Sequence, residues 1–304
     1  MKRHVIVILL TLALLGVLAF SVSAAPSTDP AELNKVNEAA VQMTFPTDGS
    51  NIRMTCPYCN VNSLWLPLPA ATGAKGLAGH YYLSGDMTAN TGYYIPYNNN
   101  VCLNLNGYSI KTTNAYAIAG KADYEFNVMG NGNVEGTGSN AYGTVFGQGT
   151  IRLFGGAYTA TSNYYVVSAY ADNANVYMYD GATINGKPSA TSAVVSTKAS
   201  NFYFYGGTIN TSGTAFYLTK GTTYLAGTTV NAGGCGVYLP SGTAVIYHSA
   251  GTISGGTKRN VVMLAGTYNL TGGTISGGVT TGGNLSGLTA TPGGNSRSSF
   301  CKML

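Results

Sequence analysis

Phe202-Tyr203-Phe204-Tyr205-Gly206-Gly207-Thr208-Ile209 is the stretch that decides the fold. Inward-type and amphipathic side chains alternate, two glycines follow, and Thr-Ile closes the unit. A period of two belongs to a strand with one buried face, and glycine permits the positive φ of a sharp corner. The form apolar-x-apolar-x-Gly-Gly-Thr-Ile recurs at residues 103–110, 151–158, 223–230 and 268–275, and three further segments, ending at Val134, Ile184 and Ile253, carry roughly one extra residue before the glycine. The closing apolar positions 110, 134, 158, 184, 209, 230, 253 and 275 are 21 to 26 residues apart. A second apolar stretch falls about midway between them, as in Ala193-Val194-Val195 and Gly236-Val237-Tyr238-Leu239.

One such unit cannot bury its own apolar face, whereas a stack of units makes a continuous core. The pattern predicts an all-β chain, a single-stranded right-handed parallel β-helix of about eight coils of 21–26 residues with a small N-terminal cap. At the usual strand spacing its rod would be on the order of 35–40 Å long. A propeller blade would need a longer repeat, and a leucine-rich repeat a Leu/Asn consensus with helices. The calcium-binding nonapeptide would need an aspartate behind Gly-Gly; none of these is present.

Outward from the repeat, the expected organisation is a signal peptide at 1–24, a cap segment with a Cys-x-x-Cys at 25–78, the β-helix at 79–284 and a flexible tail at 285–304. Lys2 and Arg3, the apolar run from Val5 to Phe20 and Val22-Ser23-Ala24 have the layout of a secretory leader. No second apolar run of spanning length follows, so no membrane span is expected after cleavage. A cap is expected because a solenoid end exposes unpaired backbone. The tail shows neither a C-terminal cap nor a Leu-Pro-x-Thr-Gly sorting motif, so a longer architecture or end-to-end self-association is expected beyond Leu304.

Charged residues make up 8% of the chain, far below the usual quarter. Gly (42) and Tyr (23) are over-used. The net charge of +5 is scattered, with no basic cluster to track a phosphate backbone, so nucleic acid is not an expected partner. Beyond Glu135 only Asp172 and Asp180 are acidic.

Cys56-Pro57-Tyr58-Cys59 followed by Trp65, Gly79-His80-Tyr81-Tyr82-Leu83 with Asp86, Val101-Cys102-Leu103-Asn104-Leu105-Asn106-Gly107 and the later Gly-Gly-Thr-Ile units together carry a resemblance. Over residues 50–280 the chain resembles a group of secreted β-helix proteins of gut Gram-positive bacteria with a pectin-lyase-like fold. The resemblance implies an exported surface protein, often with further modules after the coils. It implies fold and location more than mechanism.

Such folds often cleave acidic polysaccharides, so acids need weighing. Glycoside hydrolysis needs two carboxylates at a set separation. The best cluster is Asp123, Glu125, Glu135, Asp172 and Asp180, with Asp123 and Glu125 expected on one strand face and Asp172 about two coils further, roughly 10 Å along the axis. Solubilising acids at turns are the preferred reading, so no catalytic residue, cofactor or metal ligand is assigned. For Cys56 and Cys59 three readings stand side by side: a disulfide within the pair or to Cys102, half of a zinc site completed by His80 and Cys102, or plain thiols. Cys235 is expected to be a small buried hydrophobe, and the odd cysteine count leaves a thiol over.

The residues flanking the closing apolar positions align as Thr183, Thr208, Thr229, Thr252, Thr274 and as Asn185, Asn210, Asn231, Ser254, Ser276. Alternation turns both columns outward, with Tyr177, Tyr179, Tyr203, Tyr205, Tyr224 and Tyr268 beside them. The expectation is a non-enzymatic structural or adhesive module at the cell surface, with a glycan or host surface as partner. A polysaccharide lyase or glycoside hydrolase using the Asp123 to Asp180 region is the alternative.

Overall fold

The computed structural model describes residues 27–286 apart from 115, 139–141, 162–164, 187–191, 256–259 and 282–283. The expected leader at 1–24, Cys301 and all of the expected tail after Ser286 lie outside the described residues.

Two short helices open the described chain, α1 (Pro30–Asn34) and α2 (Val36–Ala40). The Asp29 carboxylate accepts from the Ala31 amide and Pro30 takes the first helical position, so the start is capped from both sides. An antiparallel pair follows, β1 (Ile52–Thr55) with β2 (Asn62–Pro67), and β2 pairs in parallel with β3 (Ala74–Tyr82). From β3 onward the strands of each turn pair in parallel with those of the next, giving an all-β parallel solenoid of about eight turns.

Each turn supplies three strand segments. In one turn, Thr222–Ala232 provides two, separated by register shifts between Leu225 and Thr229, and Val237–Leu239 provides the third. Stacking gives three parallel sheets around one interior. Ile184, Ile209, Val230 and Ile253 form an inward column of the second sheet; Val145, Val167, Val194 and Phe216 form one of the third. These side chains are buried in a single core running the length of the stack, which is why the period-two pattern is kept in every turn. Gly207 shows what a corner requires: its φ is +76°, and a Cβ there would stand 2.4 Å from the Ala182 carbonyl oxygen.

At the N-terminal end β2 adds a rung beyond β3 and β1 pairs antiparallel along its outer edge, while the rest of the N-terminal segment lies elsewhere. The helices and the chain after them run along the outer wall of the first sheet. Asn34 Oδ1 accepts from the amide of Asp180 (3.2 Å), Asn37 Oδ1 from that of Gly130 (2.7 Å), and the Ala40 carbonyl from Asn104 Nδ2 (3.0 Å). Phe45 then stacks on Tyr82, ring centroids 4.6 Å apart. Between residues 34 and 45 the chain therefore climbs from the turn of Asp180 to that of Tyr82, as a strap. Leu33, Val36, Trp65, Met129, Phe154 and Tyr179 make a second apolar core beneath it. The physical reason is that Met129, Phe154 and Tyr179 are large and face out of the solenoid, so their area is removed from water only if chain is laid over them.

Candidate functional site

The strap ends in a hairpin turn that brings two thiols to the wall. The Cys56 amide donates to the Val61 carbonyl and the Asn60 amide to the Cys56 carbonyl, both at 2.9 Å. Asn60 takes φ +54° to close the turn, a conformation that asparagine tolerates better than most residues. On the wall, Trp65, His80 and Cys102 are successive members of one outward column, in register across β2, β3 and Tyr93–Asn104. Cys56 Sγ, Cys59 Sγ, Cys102 Sγ and a ring nitrogen of His80 lie within 4.8 Å of one another. Cys59 Sγ is 3.3 Å from His80 Nε2, and the imidazole meets the Trp65 ring edge-on at 5.0 Å. Cys56 and Cys102 are buried, Cys59 and His80 half-buried. No disulfide joins Cys56, Cys59 and Cys102 in this arrangement, one of the three readings open at these residues. The three thiols and the imidazole converge on one point instead.

Hydrogen bonds from Cys102 and Cys56, then the contact with His80, hold the Cys59 thiol far below its ordinary value. Cys102 is pushed up by its bonds to Cys56 and Cys59 and by burial. At Cys56 the bond to Cys102 pulls down, but the bond to Cys59 and burial outweigh it and the thiol rises to about 12. Among the described residues no other group of three or more His, Cys, Asp or Glu has its ligand atoms gathered in this way.

The acidic candidates part company. Asp123, Glu125 and Asp172 line one open groove of about 490 Å³ with Gln148 and Asn175. Asp123 does not share a strand face with Glu125, as alternation had predicted. It sits in a turn at φ +70°, and the strand begins only at Glu125. Glu125 is tied down, 2.7 Å from Arg152 Nη1 and accepting from the Tyr58 hydroxyl at 2.8 Å. Asp172 accepts from the Ala199 amide at 2.9 Å. Asp180 lies at the end of the strap and Glu135 pairs with Lys111 at 3.4 Å on the second sheet, both outside the groove lining. Arg152 and Tyr58, which organise this region, had no distinguishing signal in the sequence beyond their residue types.

The polar columns fall where alternation placed them. Thr183, Thr208, Thr229, Thr252 and Thr274 are in register, as are Asn185, Asn210, Asn231 and Ser254. The amides bond along the stack: Asn210 Nδ2 to Asn185 Oδ1 at 3.2 Å, Asn231 Nδ2 to Asn210 Oδ1 at 3.0 Å, and Ser254 Oγ to Asn231 Oδ1 at 3.1 Å. Tyr177, Tyr203, Tyr224 and Tyr247 form a parallel column on the first sheet, with successive centroids 4.5, 5.0 and 5.3 Å apart. Their faces are spent on one another, so edges and hydroxyls meet solvent. Two tyrosines expected beside them lie elsewhere. Tyr179 is covered by the strap, and Tyr268 points into the core, where its hydroxyl meets His248 Nδ1 at 2.8 Å. Cys235 is buried as expected, but it is disulfide-bonded rather than a simple hydrophobe.

Among the described residues no helix is long and apolar enough to cross a membrane. Comparison of the chain with family models, with curated proteins and with solved structures finds no match.

Proposed function

We propose that this chain is an exported β-solenoid of the pectin-lyase-like kind, acting as a rigid structural or adhesive module at the cell surface, without catalysis, and that its partner is a neutral glycan or a host surface. One observation carries this reading: the uncharged Tyr203-Tyr224-Tyr247 and Thr208-Thr229-Thr252 columns, in register over successive turns and left uncovered where the strap ends. Side chains stacked on their own copies are already ordered, so a ligand that docks on them loses little further entropy. A repeat of one strand spacing, about 4.8 Å, offers hydroxyl and amide groups to an extended chain of hydroxyls at every step. Export is supported by the leader-like sequence at residues 1–24 and by the disulfide at Cys235, since such bonds persist in oxidising compartments.

The groove of Asp123, Glu125 and Asp172 favours a second reading, a polysaccharide lyase or hydrolase. Against it, Glu125 is committed to Arg152 and Tyr58 and Asp172 to the Ala199 amide. The test is a glycan array with the purified chain beside Tyr247→Ala and Thr229→Glu, run in parallel with a reducing-end and unsaturated-product assay. Binding that both substitutions weaken at least tenfold, with no turnover, is expected. Turnover abolished by Asp172→Ala would overturn the adhesive reading.

A further inference from the structure

We propose that Cys56, Cys59, His80 and Cys102 bind one zinc ion, and that the ion rivets the strap to the first two full turns of the solenoid. The ligand set comes from three separate places. Cys56 and Cys59 sit in the β1–β2 turn, His80 on β3, and Cys102 one rung further on. Their ligand atoms converge within 4.8 Å. A tetrahedral ion with Zn–S of about 2.3 Å and Zn–N of about 2.0 Å separates its ligands by roughly 3.5–3.8 Å. The 3.3 Å between Cys59 Sγ and His80 Nε2 is already near that value, so small side-chain adjustments close the tetrahedron.

Donor chemistry selects the metal. Three soft thiolates and an imidazole suit zinc and disfavour calcium or magnesium, which take hard oxygen ligands. Four protein ligands leave no open position, and two of the four are buried, so the site is structural rather than catalytic. Trp65 packs against the His80 ring and helps to fix its orientation. Without an ion, three polar sulfurs and an imidazole are gathered beside the apolar core under the strap, where they add little of their own to holding the two parts together.

The experiment uses the full chain, purified with its metal content intact. Elemental analysis is expected to find one zinc per chain, and non-reducing mass spectrometry three reduced thiols at Cys56, Cys59 and Cys102. After chelator treatment, cobalt added to the unsubstituted chain is expected to give the visible bands of tetrahedral, thiolate-ligated Co²⁺, and zinc to displace them. Cys59→Ser and His80→Ala are expected to weaken zinc binding at least a hundredfold, and proteolysis between residues 41 and 61 to accelerate in the stripped protein. The cobalt titration needs no variant to fold. A disulfide among Cys56, Cys59 and Cys102, or no tetrahedral cobalt spectrum from a folded, reduced chain, would overturn the proposal.

Discussion

Arg152 and Glu125 stand on adjacent turns of the first sheet, with Nη1 2.7 Å from Oε1. At that distance the pair is a charge-assisted contact. The guanidinium lies between two rings, 5.4 Å from the Tyr58 centroid and 4.8 Å from that of Tyr177. It thus joins the strap, the wall and the start of the tyrosine column. Removing one partner strands a largely desolvated charge. Arg152→Met is expected to cost about 2–3 kcal/mol in urea unfolding, short of the roughly 3–5 kcal/mol for a fully buried pair, because Glu125 keeps 28% of its side-chain surface exposed. Arg152→Met with Glu125→Gln should recover about half of the loss. A cycle with no coupling would show that the pair contributes nothing.

Gly155 and Gly181 are two places where the strap closely meets the wall, both against Asn37. A Cβ on Gly181 would stand 2.3 Å from Asn37 Nδ2 and 2.5 Å from the Phe154 carbonyl oxygen, and one on Gly155 only 2.0 Å from Asn37 Oδ1. Gly181→Ala is therefore expected to lift the strap and expose Phe154 and Tyr179 while leaving the solenoid folded. Dye binding to exposed apolar surface and cleavage between residues 41 and 50 should both increase, with global unfolding shifted by about 1–3 kcal/mol at most. A variant protected from protease as well as the parent would contradict this contact.

How much of this was legible in the sequence depends on distance along the chain. The inward columns and the Thr and Asn ladders followed from alternation, because register in a stack is fixed wherever one face is buried. Tyr268 was legible too, since it holds the first apolar position of Tyr268-Asn269-Leu270, but its residue type had suggested an outward edge. The strap was not legible. Asn34 and Asn37 bond to backbone about a hundred residues or more away, and a polar residue on a short helix gives no sign of that. Cys102 and His80 were visible as fourth and third partners of the Cys-x-x-Cys only because both fall in the first turns. Asp123 was misplaced because a left-handed turn residue interrupts alternation without changing composition.

His248 supplies a pH prediction. It occupies an inward column between Leu225 and Leu270, with Nδ1 bonded to Tyr268 and Nε2 buried without a partner. Burial lowers its pKa below the ordinary 6.5. The unfolded chain therefore takes up more protons than the folded one as pH falls through 6.5, so stability must drop in that direction and is fully present above it. Thermal unfolding between pH 7.5 and 5 is expected to show a falling midpoint, and His248→Leu, which continues the leucine column, should flatten the slope. An equal slope in both proteins would place the pH dependence elsewhere.

The asparagine ladder is directional, and that makes it testable one rung at a time. Each nitrogen donates toward the N-terminal end, so Asn185 is an acceptor for Asn210, whereas Asn210 is both donor and acceptor. A carboxylate can only accept. Asn185→Asp keeps its acceptor and gains a charge-assisted bond from Asn210, so stability is expected to be unchanged or slightly raised. Asn210→Asp loses its donor and sets a carboxylate against the Asn185 carbonyl oxygen, costing about 1 kcal/mol at neutral pH, and the loss should shrink as the new acid is protonated. Equal effects at the two positions, measured by urea unfolding at pH 7 and pH 4 against the parent, would mean that the ladder bonds carry no direction and that the threonine and asparagine columns stack by shape alone.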